Sequence, residues 1–225
     1  MLARMNKQSY STNFRAIIWD LDGTLIDSVA YHWQSWRVMM ERETIVYSHE
    51  QFVADFGKRN DEILRGSIDS TLSDAEIERM AFAKEELYRE FLRAGGLDLL
   101  PGCAAWLQRL QDAGWRQALG TSAPQGNVDA VFEAIEMRHY FDAVMSADFV
   151  KHGKPAPDVF LAAAAKLNIA PEHCLVIEDA EAGVTAAHRA GMKCLGVLTT
   201  HKHLSADWIY PSMADVPEDF FDRLT

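Results

Sequence analysis

Ala16-Ile17-Ile18-Trp19-Asp20-Leu21-Asp22-Gly23-Thr24 is a short apolar run that breaks into two carboxylates and a glycine. Four consecutive apolar residues ending in a polar turn have the length and composition of a strand buried on both faces. Open parallel sheets bind ligands outside the carboxyl ends of their strands, so Asp20 and Asp22 are candidates for chemistry. Their alternate spacing lets both carboxylates reach one site, and the glycine permits a tight turn. An attacking aspartate splits a difficult phosphoryl transfer into two easier steps, and a second acid can protonate the leaving oxygen and later deprotonate water. A plain Asp-Gly turn or a calcium loop would use similar letters. The glycine falls too early for an EF-hand, however, and a strand rather than a helix precedes it.

Further apolar runs of strand length lie at Gln117 to Gly120, Ala143 to Met145, Leu175 to Ile177 and Cys194 to Leu198, most of them separated by helical periodicity. This alternation predicts an α/β fold, a Rossmann-like doubly wound parallel sheet with helices on both faces. The interval from Ser28 to Leu100 breaks the pattern, because it reads as almost wholly helical. The expected organisation is a catalytic core of residues 14–27 and 100–225, an all-helical cap of residues 28–99, and a tail of residues 1–13. Within the cap, Ser73-Asp74-Ala75-Glu76 predicts a capping box, with its helix stopping near Gly95 and Gly96. The apolar stripe of that helix runs Ile77, Met80, Ala81, Leu87, Tyr88 and Phe91, and Lys84 completes it. Either its stem covers apolar surface while the ammonium reaches water, or it points into a substrate pocket. Turn-forming residues near Asp27-Ser28 and from Gly95 to Pro101 are hinge candidates.

The other strand ends carry matching chemistry. Thr121-Ser122 offers a hydroxyl and backbone N–H groups for phosphate oxygens, although such residues also cap helices and satisfy loops. Lys154, in Gly153-Lys154-Pro155, can neutralise charge on a nucleophile and a transferring phosphoryl group. Glu178-Asp179 leaves a buried strand, where adjacent acids are costly without a compensating cation. Mg²⁺ prefers oxygen ligands and is commonly held by one or two carboxylates together with substrate phosphate. Asp20 and Asp179 are the expected carboxylate ligands, with Glu178 either a third ligand or a residue behind them.

A formal net charge of -11 excludes a broad grip on nucleic acid or an anionic membrane. Cys103, Cys174 and Cys194 form no CxxC pair and read as reduced thiols. No apolar run has the length of a membrane span, and Met1 to Asn13 lacks a signal-peptide core, so a cytoplasmic location is expected.

Taken in order, these motifs resemble those of the haloacid dehalogenase superfamily of aspartate-dependent phosphohydrolases, in its β-phosphoglucomutase-like branch with a helical cap. The family pattern of DxDGT, then Ser or Thr, then Lys, then an acidic pair matches Asp20 and Asp22, Thr121, Lys154, and Glu178 with Asp179. The resemblance implies that Asp20 attacks phosphorus. Asp22 would act as acid and base and bind Mg²⁺ through its backbone carbonyl. Thr121 and Lys154 would hold phosphoryl oxygens, helped by backbone amides at Gly23 and Ser122. It also implies cap contacts from His32, Arg59 and Lys84. His32 would touch the general acid and base, or else be a partly buried histidine beside Trp33 and Trp36. Arg59, in Phe56-Gly57-Lys58-Arg59-Asn60, would fork onto a phosphate or a pair of hydroxyls. A small phosphorylated substrate and a monomeric enzyme are expected, with neither nucleic acid nor membrane as partner.

Mutases of this branch carry Ser-Lys-Asn after the second motif to hold a distal phosphate. Here Ala123-Pro124-Gln125 supplies neither the hydroxyl nor the cation. Asp22 also weighs against the dehalogenases, and Phe56 stands where a pyrophosphatase member has glutamate. The expectation is therefore a sugar-phosphate phosphatase. A β-phosphoglucomutase-type mutase is the alternative, followed by a phosphoglycolate phosphatase, a pyrophosphatase and a noncatalytic phosphosugar-binding protein.

Overall fold

The computed structural model describes residues 14–224. The polar stretch expected as a tail lies outside the described residues. Six strands form one all-parallel sheet: β1 (Ala16–Trp19), β2 (Arg116–Gly120), β3 (Ala143–Met145), β4 (Cys174–Glu178), β5 (Lys193–Val197) and β6 (Trp208–Tyr210). Their order is β3-β2-β1-β4-β5-β6, so the chain builds outward on one side of β1 and then returns to build on the other. The reversal opens a crevice between the carboxyl ends of β1 and β4, where such sheets bind ligands. In register, Trp19 is paired with Leu119 of β2 and with Ile177 of β4, which brings Asp20 and Glu178 to the same rim.

The first turns of the insert give α1 (Val29–Arg42), α2 (His49–Asp55) and α3 (Asn60–Ile63), then a π-helical turn over Leu64–Ile68 and the long α4 (Asp74–Gly95). The core supplies α5 (Cys103–Asp112), α6 (Gln125–Ala134), α7 (Asp158–Leu167) and α8 (Glu181–Arg189). Ile17 and Trp19 of β1 face one apolar cluster with residues of α5 and α6. Ala16 and Ile18 face the other, with residues of α7 and α8. All four β1 residues are fully buried, which is why the strand reads as an unbroken apolar run rather than an alternating one. The indole N–H of Trp19 is satisfied inside the core by Gln117 Oε1 at 2.9 Å, and the Gln117 amide donates to the Leu107 carbonyl at 3.0 Å.

The doubly wound parallel sheet is the fold expected from the sequence, with one addition. Strand β6 was not among the predicted runs, because as an edge strand it is only partly buried and Ile209 is 43% exposed. Cys103, Cys174 and Cys194 are buried and unpaired. No helix among the described residues is long and apolar enough to cross a membrane.

The helices between Asp27 and Asp98 enclose an apolar cluster of their own, built on Trp36, Met39, Met40, Phe52, Leu64, Ile77 and Met80. The box at Ser73 is formed: its N–H donates to Glu76 Oε2 at 2.9 Å, and its hydroxyl accepts from the Glu76 N–H at 3.3 Å. Helix α4 ends at Gly96, whose φ of 79° releases the chain in the left-handed region. The two connections run antiparallel, with Asp27 N donating to Asp98 O at 3.1 Å and Leu100 N to Leu25 O at 2.9 Å.

Candidate active site

Lys154 is the electrostatic centre of the crevice. Its Nζ donates to Asp20 Oδ1 at 2.5 Å and to Glu178 Oε1 at 2.8 Å, and it lies 4.7 Å from the centroid of the Phe160 ring. The ammonium is 1% exposed, and the two carboxylates raise its affinity for the proton against the opposing effect of burial. The other oxygen of Glu178 accepts from the backbone N–H groups of Asp179 and Ala180, at 2.8 and 2.7 Å. A Cβ on Gly183 would fall 1.7 Å from Glu178 Oε1, so the opening turn of α8 makes room for this carboxylate by having no side chain there.

Asp179 Oδ1 accepts the Thr24 hydroxyl at 2.9 Å, and Oδ2 accepts that of Thr200. Gly23, at φ 82°, passes so close that a Cβ would lie 2.3 Å from Asp179 Oδ2. Oxygens of Asp20, Glu178 and Asp179 lie within 4.8 Å of one another. All three carboxylates are buried, and the Lys154 ammonium bonds two of them, Asp20 and Glu178, which leaves the cluster short of positive charge. Burial pushes the Asp20 carboxyl up to about 7; Lys154 opposes that rise, and Glu178 reinforces it. Burial, with Glu178 and Asp20 nearby, drives Asp179 well above the usual carboxylate range as well. A hard divalent cation fits this donor set, because every free ligand atom is oxygen and the charge deficit has its sign and size.

Asp22 is held quite differently. Its Oδ1 accepts Ser28 Oγ at 2.6 Å, His32 Nε2 at 3.0 Å and Tyr88 Oη at 3.2 Å. Burial works to raise its pKa, but the His32 ring, the Ser28 hydroxyl and Lys84 outweigh that and bring it down to about 2. His32 stacks on Tyr88 with ring centroids 4.1 Å apart, and its Nδ1 faces Lys84 Nζ at 2.8 Å. An ammonium only donates, so Nδ1 accepts, and Nε2 carries the proton shared with Asp22. Lys84 is 1% exposed, so its charge stays inside rather than reaching water, and Glu85 Oε1 accepts from it at 2.9 Å.

One cavity is lined by Asp20, Asp22, His32, Lys84, Thr121 and Ser122. Thr121 is buried, with its Oγ1 accepting from the Ala123 N–H at 3.0 Å, while the Ser122 hydroxyl donates across to the Gly57 carbonyl at 2.8 Å. Arg59 is placed elsewhere. It does not line this cavity; its Nε donates to Asp61 at 3.1 Å and its Nη1 to the Val150 carbonyl at 3.2 Å. Its stem lies on Gly153, where a Cβ would meet Arg59 Cδ at 2.4 Å. The residues on either side, Lys58 and Asn60, line the cavity instead.

Sequence reasoning also missed Glu85 and Asn127. Asn60 Nδ2 donates to Glu85 Oε1 and Asn127 Nδ2 to Glu85 Oε2, both at 2.6 Å, and Arg89 Nη1 donates to Asn127 Oδ1 at 2.9 Å. Burial raises the Glu85 pKa, but Lys84 and His32, with the two amides, bring it below the usual range. The signal available was Glu85 and Arg89 at i,i+4 on α4, which marks a shared helix face without naming its partner.

Residues 14–191 match the family model of haloacid dehalogenase-like hydrolases. The chain is 33% identical over 186 residues to the fructose-1-phosphate phosphatase of Escherichia coli (strain K12), covering 82% of this chain and 96% of that protein. It is 29% identical over 208 residues to the β-phosphoglucomutase of Bacillus subtilis (strain 168), covering 90% and 91%. Among solved structures, the β-phosphoglucomutase of Clostridium difficile superposes with a TM-score of 0.83 at 26% identity, covering 94% of this chain and 96% of that one.

Proposed function

We propose, given that the chain belongs to the haloacid dehalogenase-like hydrolase family, that it is a magnesium-dependent phosphatase of a small phosphorylated sugar acting through an aspartyl-phosphate. The observation that carries this reading is the pairing of Asp20 with Lys154 beside Glu178 and Asp179, with Asp22 in the same cavity. Asp20 and Asp179 would hold Mg²⁺, with the Asp22 backbone carbonyl as a further ligand. Bound there, the ion supplies charge neutralisation for the nucleophile and the incoming phosphate. Glu178, its oxygens already taken by Lys154 and two backbone amides, holds the lysine in place.

In the first step a carboxylate oxygen of Asp20 forms a bond to phosphorus as the bond to the sugar oxygen breaks, and Asp22 delivers a proton to that oxygen. In the second step water attacks phosphorus, Asp22 takes its proton, and the Asp20–phosphorus bond breaks to release phosphate. Asp22 must carry a proton for the first step, and a phosphate dianion entering the cavity favours that form by like-charge repulsion. Lys154, the Thr121 hydroxyl and the amides at Gly23 and Ser122 would hold the equatorial oxygens. The helices over the cavity act as its cap, excluding water and supplying substrate contacts.

The phosphatase reading is preferred to the mutase because Gln125 Nε2 is turned to Asp129 at 2.8 Å and its backbone N–H to Asp148 at 2.9 Å. That stretch presents no cation for a distal phosphate. Similarity to a fructose-1-phosphate phosphatase supports a sugar monophosphate as substrate. The test is phosphate release with Mg²⁺ from fructose 1-phosphate, glucose phosphates, phosphoglycolate and pyrophosphate. Interconversion of β-glucose 1-phosphate, primed with the 1,6-bisphosphate, is measured alongside. Efficient interconversion with negligible release would replace this reading with the mutase.

A further inference from the structure

The contacts of Asp22 and Glu85 form a chain that starts and ends on the core but passes through the insert. Asn127, on α6 of the core, donates to Glu85. Glu85 accepts from Lys84, Lys84 donates to His32, and His32 donates to Asp22, back on the core. We propose that Asn127 and Glu85 are positioning residues that fix His32 with its Nε2–H toward Asp22, and that this arrangement is complete only with the insert seated on the core. The inference rests on the reading of Asp22 as the acid and base.

The chemistry of Asn127 supports this assignment. It is 1% exposed and is not among the residues that line the cavity, whereas Glu85 is. A side-chain amide donates to a carboxylate through its nitrogen and accepts from a guanidinium through its oxygen, and here the two partners, Glu85 and Arg89, fix which end is which. Aspartate at this position would put a second carboxylate against Glu85, and a hydrocarbon would leave two charged groups short of a partner. Glu85 in turn decides what Lys84 does. With Glu85 on one side and His32 Nδ1 on the other, the ammonium has two fixed acceptors at the cavity wall. Freed from Glu85, Lys84 would be drawn to Asp22 or to substrate phosphate, and the His32 ring would lose the donor that sets its tautomer.

The test uses the full chain, ¹⁵N-labelled, in two variants, Glu85→Gln and Asn127→Ala, with retained thermal unfolding as the check on folding. Ring ¹⁵N shifts of His32, assigned through His32→Asn, should show one tautomer protonated at Nε2 in the wild type and averaged tautomers in both variants. For the best substrate of the panel, kcat should fall about tenfold to a hundredfold with KM within about twofold, as expected for a misplaced proton donor rather than lost binding. His32 shifts identical to wild type in both folded variants would overturn the positioning role. A wild-type protein that releases no phosphate from any member of the panel would overturn the functional reading instead, and the His32 spectrum would still decide the positioning.

Discussion

Two buried polar clusters face each other across the cavity, and they are balanced in opposite ways. On the core side, three carboxylates gather where one ammonium bonds only Asp20 and Glu178, so burial leaves Asp20 and Asp179 reluctant to ionise. Opposite it, His32, Lys84, Glu85, Asn60 and Asn127 match donors to acceptors, and Glu85 and Asp22 ionise readily. A cluster left incomplete by its own protein is built for something that arrives. A closed cluster is built to hold its members still. The first is where a cation and a phosphate would sit, and the second is a frame for the proton donor.

The sharpest way to break this contrast is to remove the nucleophile. Asp20→Asn should lower kcat by roughly 10⁴-fold or more while the protein melts at or above the wild-type temperature in chelator, because the variant relieves a strained cluster. Full activity would end the covalent proposal. Next in size, Lys154→Met should destabilise the metal-free protein by about 3–5 kcal/mol at neutral pH, since it strands the carboxylates that the ammonium now partners. Urea unfolding in chelator measures this, and a loss under about 1 kcal/mol would mean that the cluster is already well solvated.

The pH dependence separates the two sides by sign. The folded-state pKa of Asp20 lies above its ordinary value of 3.8, so its stabilising contribution is present below 3.8 and is lost as pH rises through about 7. The melting temperature in chelator should therefore fall across that window and recover with Mg²⁺. Asp22, lowered to about 2, behaves in the reverse sense: its contribution is present above 3.8 and lost as pH falls toward 2. Removing its partner in His32→Ala should shrink that acid-side loss, and an unchanged acid limb would deny the ring its role. The smallest effect is expected from Ser122→Ala, which removes one hydroxyl contact to Gly57 across the cavity. About 1 kcal/mol, or less than tenfold in kcat/KM, is the scale of one such bond.

The core side was far more legible in the sequence than the other. Strands buried on both faces must be apolar throughout, so β1 and β4 stood out, and polar residues at their ends could only be rim residues. Lys84 was visible for a related reason, as a charge in the apolar stripe of α4. Edge strand β6 escaped because half-buried residues carry no such pattern. The direction of Arg59 was not legible, because a loop motif gives proximity alone: Lys58 and Asn60 line the cavity while Arg59 reaches the Val150 carbonyl. Glu85 and Asn127 were illegible for a deeper reason. Each is an ordinary helix residue, and its meaning exists only in a partner 42 positions away in the chain.

The paired connections at Asp27 and Asp98 have the geometry of a hairpin stem whose loop happens to be the entire helical insert. Such a stem brings the two ends of the insert side by side whatever the length of chain between them. In engineering terms the insert is a cassette. Its two ends sit at neighbouring backbone positions, so the sheet sees the insert through one narrow stem, while the Ser28, His32 and Tyr88 contacts that hold the Asp22 carboxylate travel with whatever the stem carries.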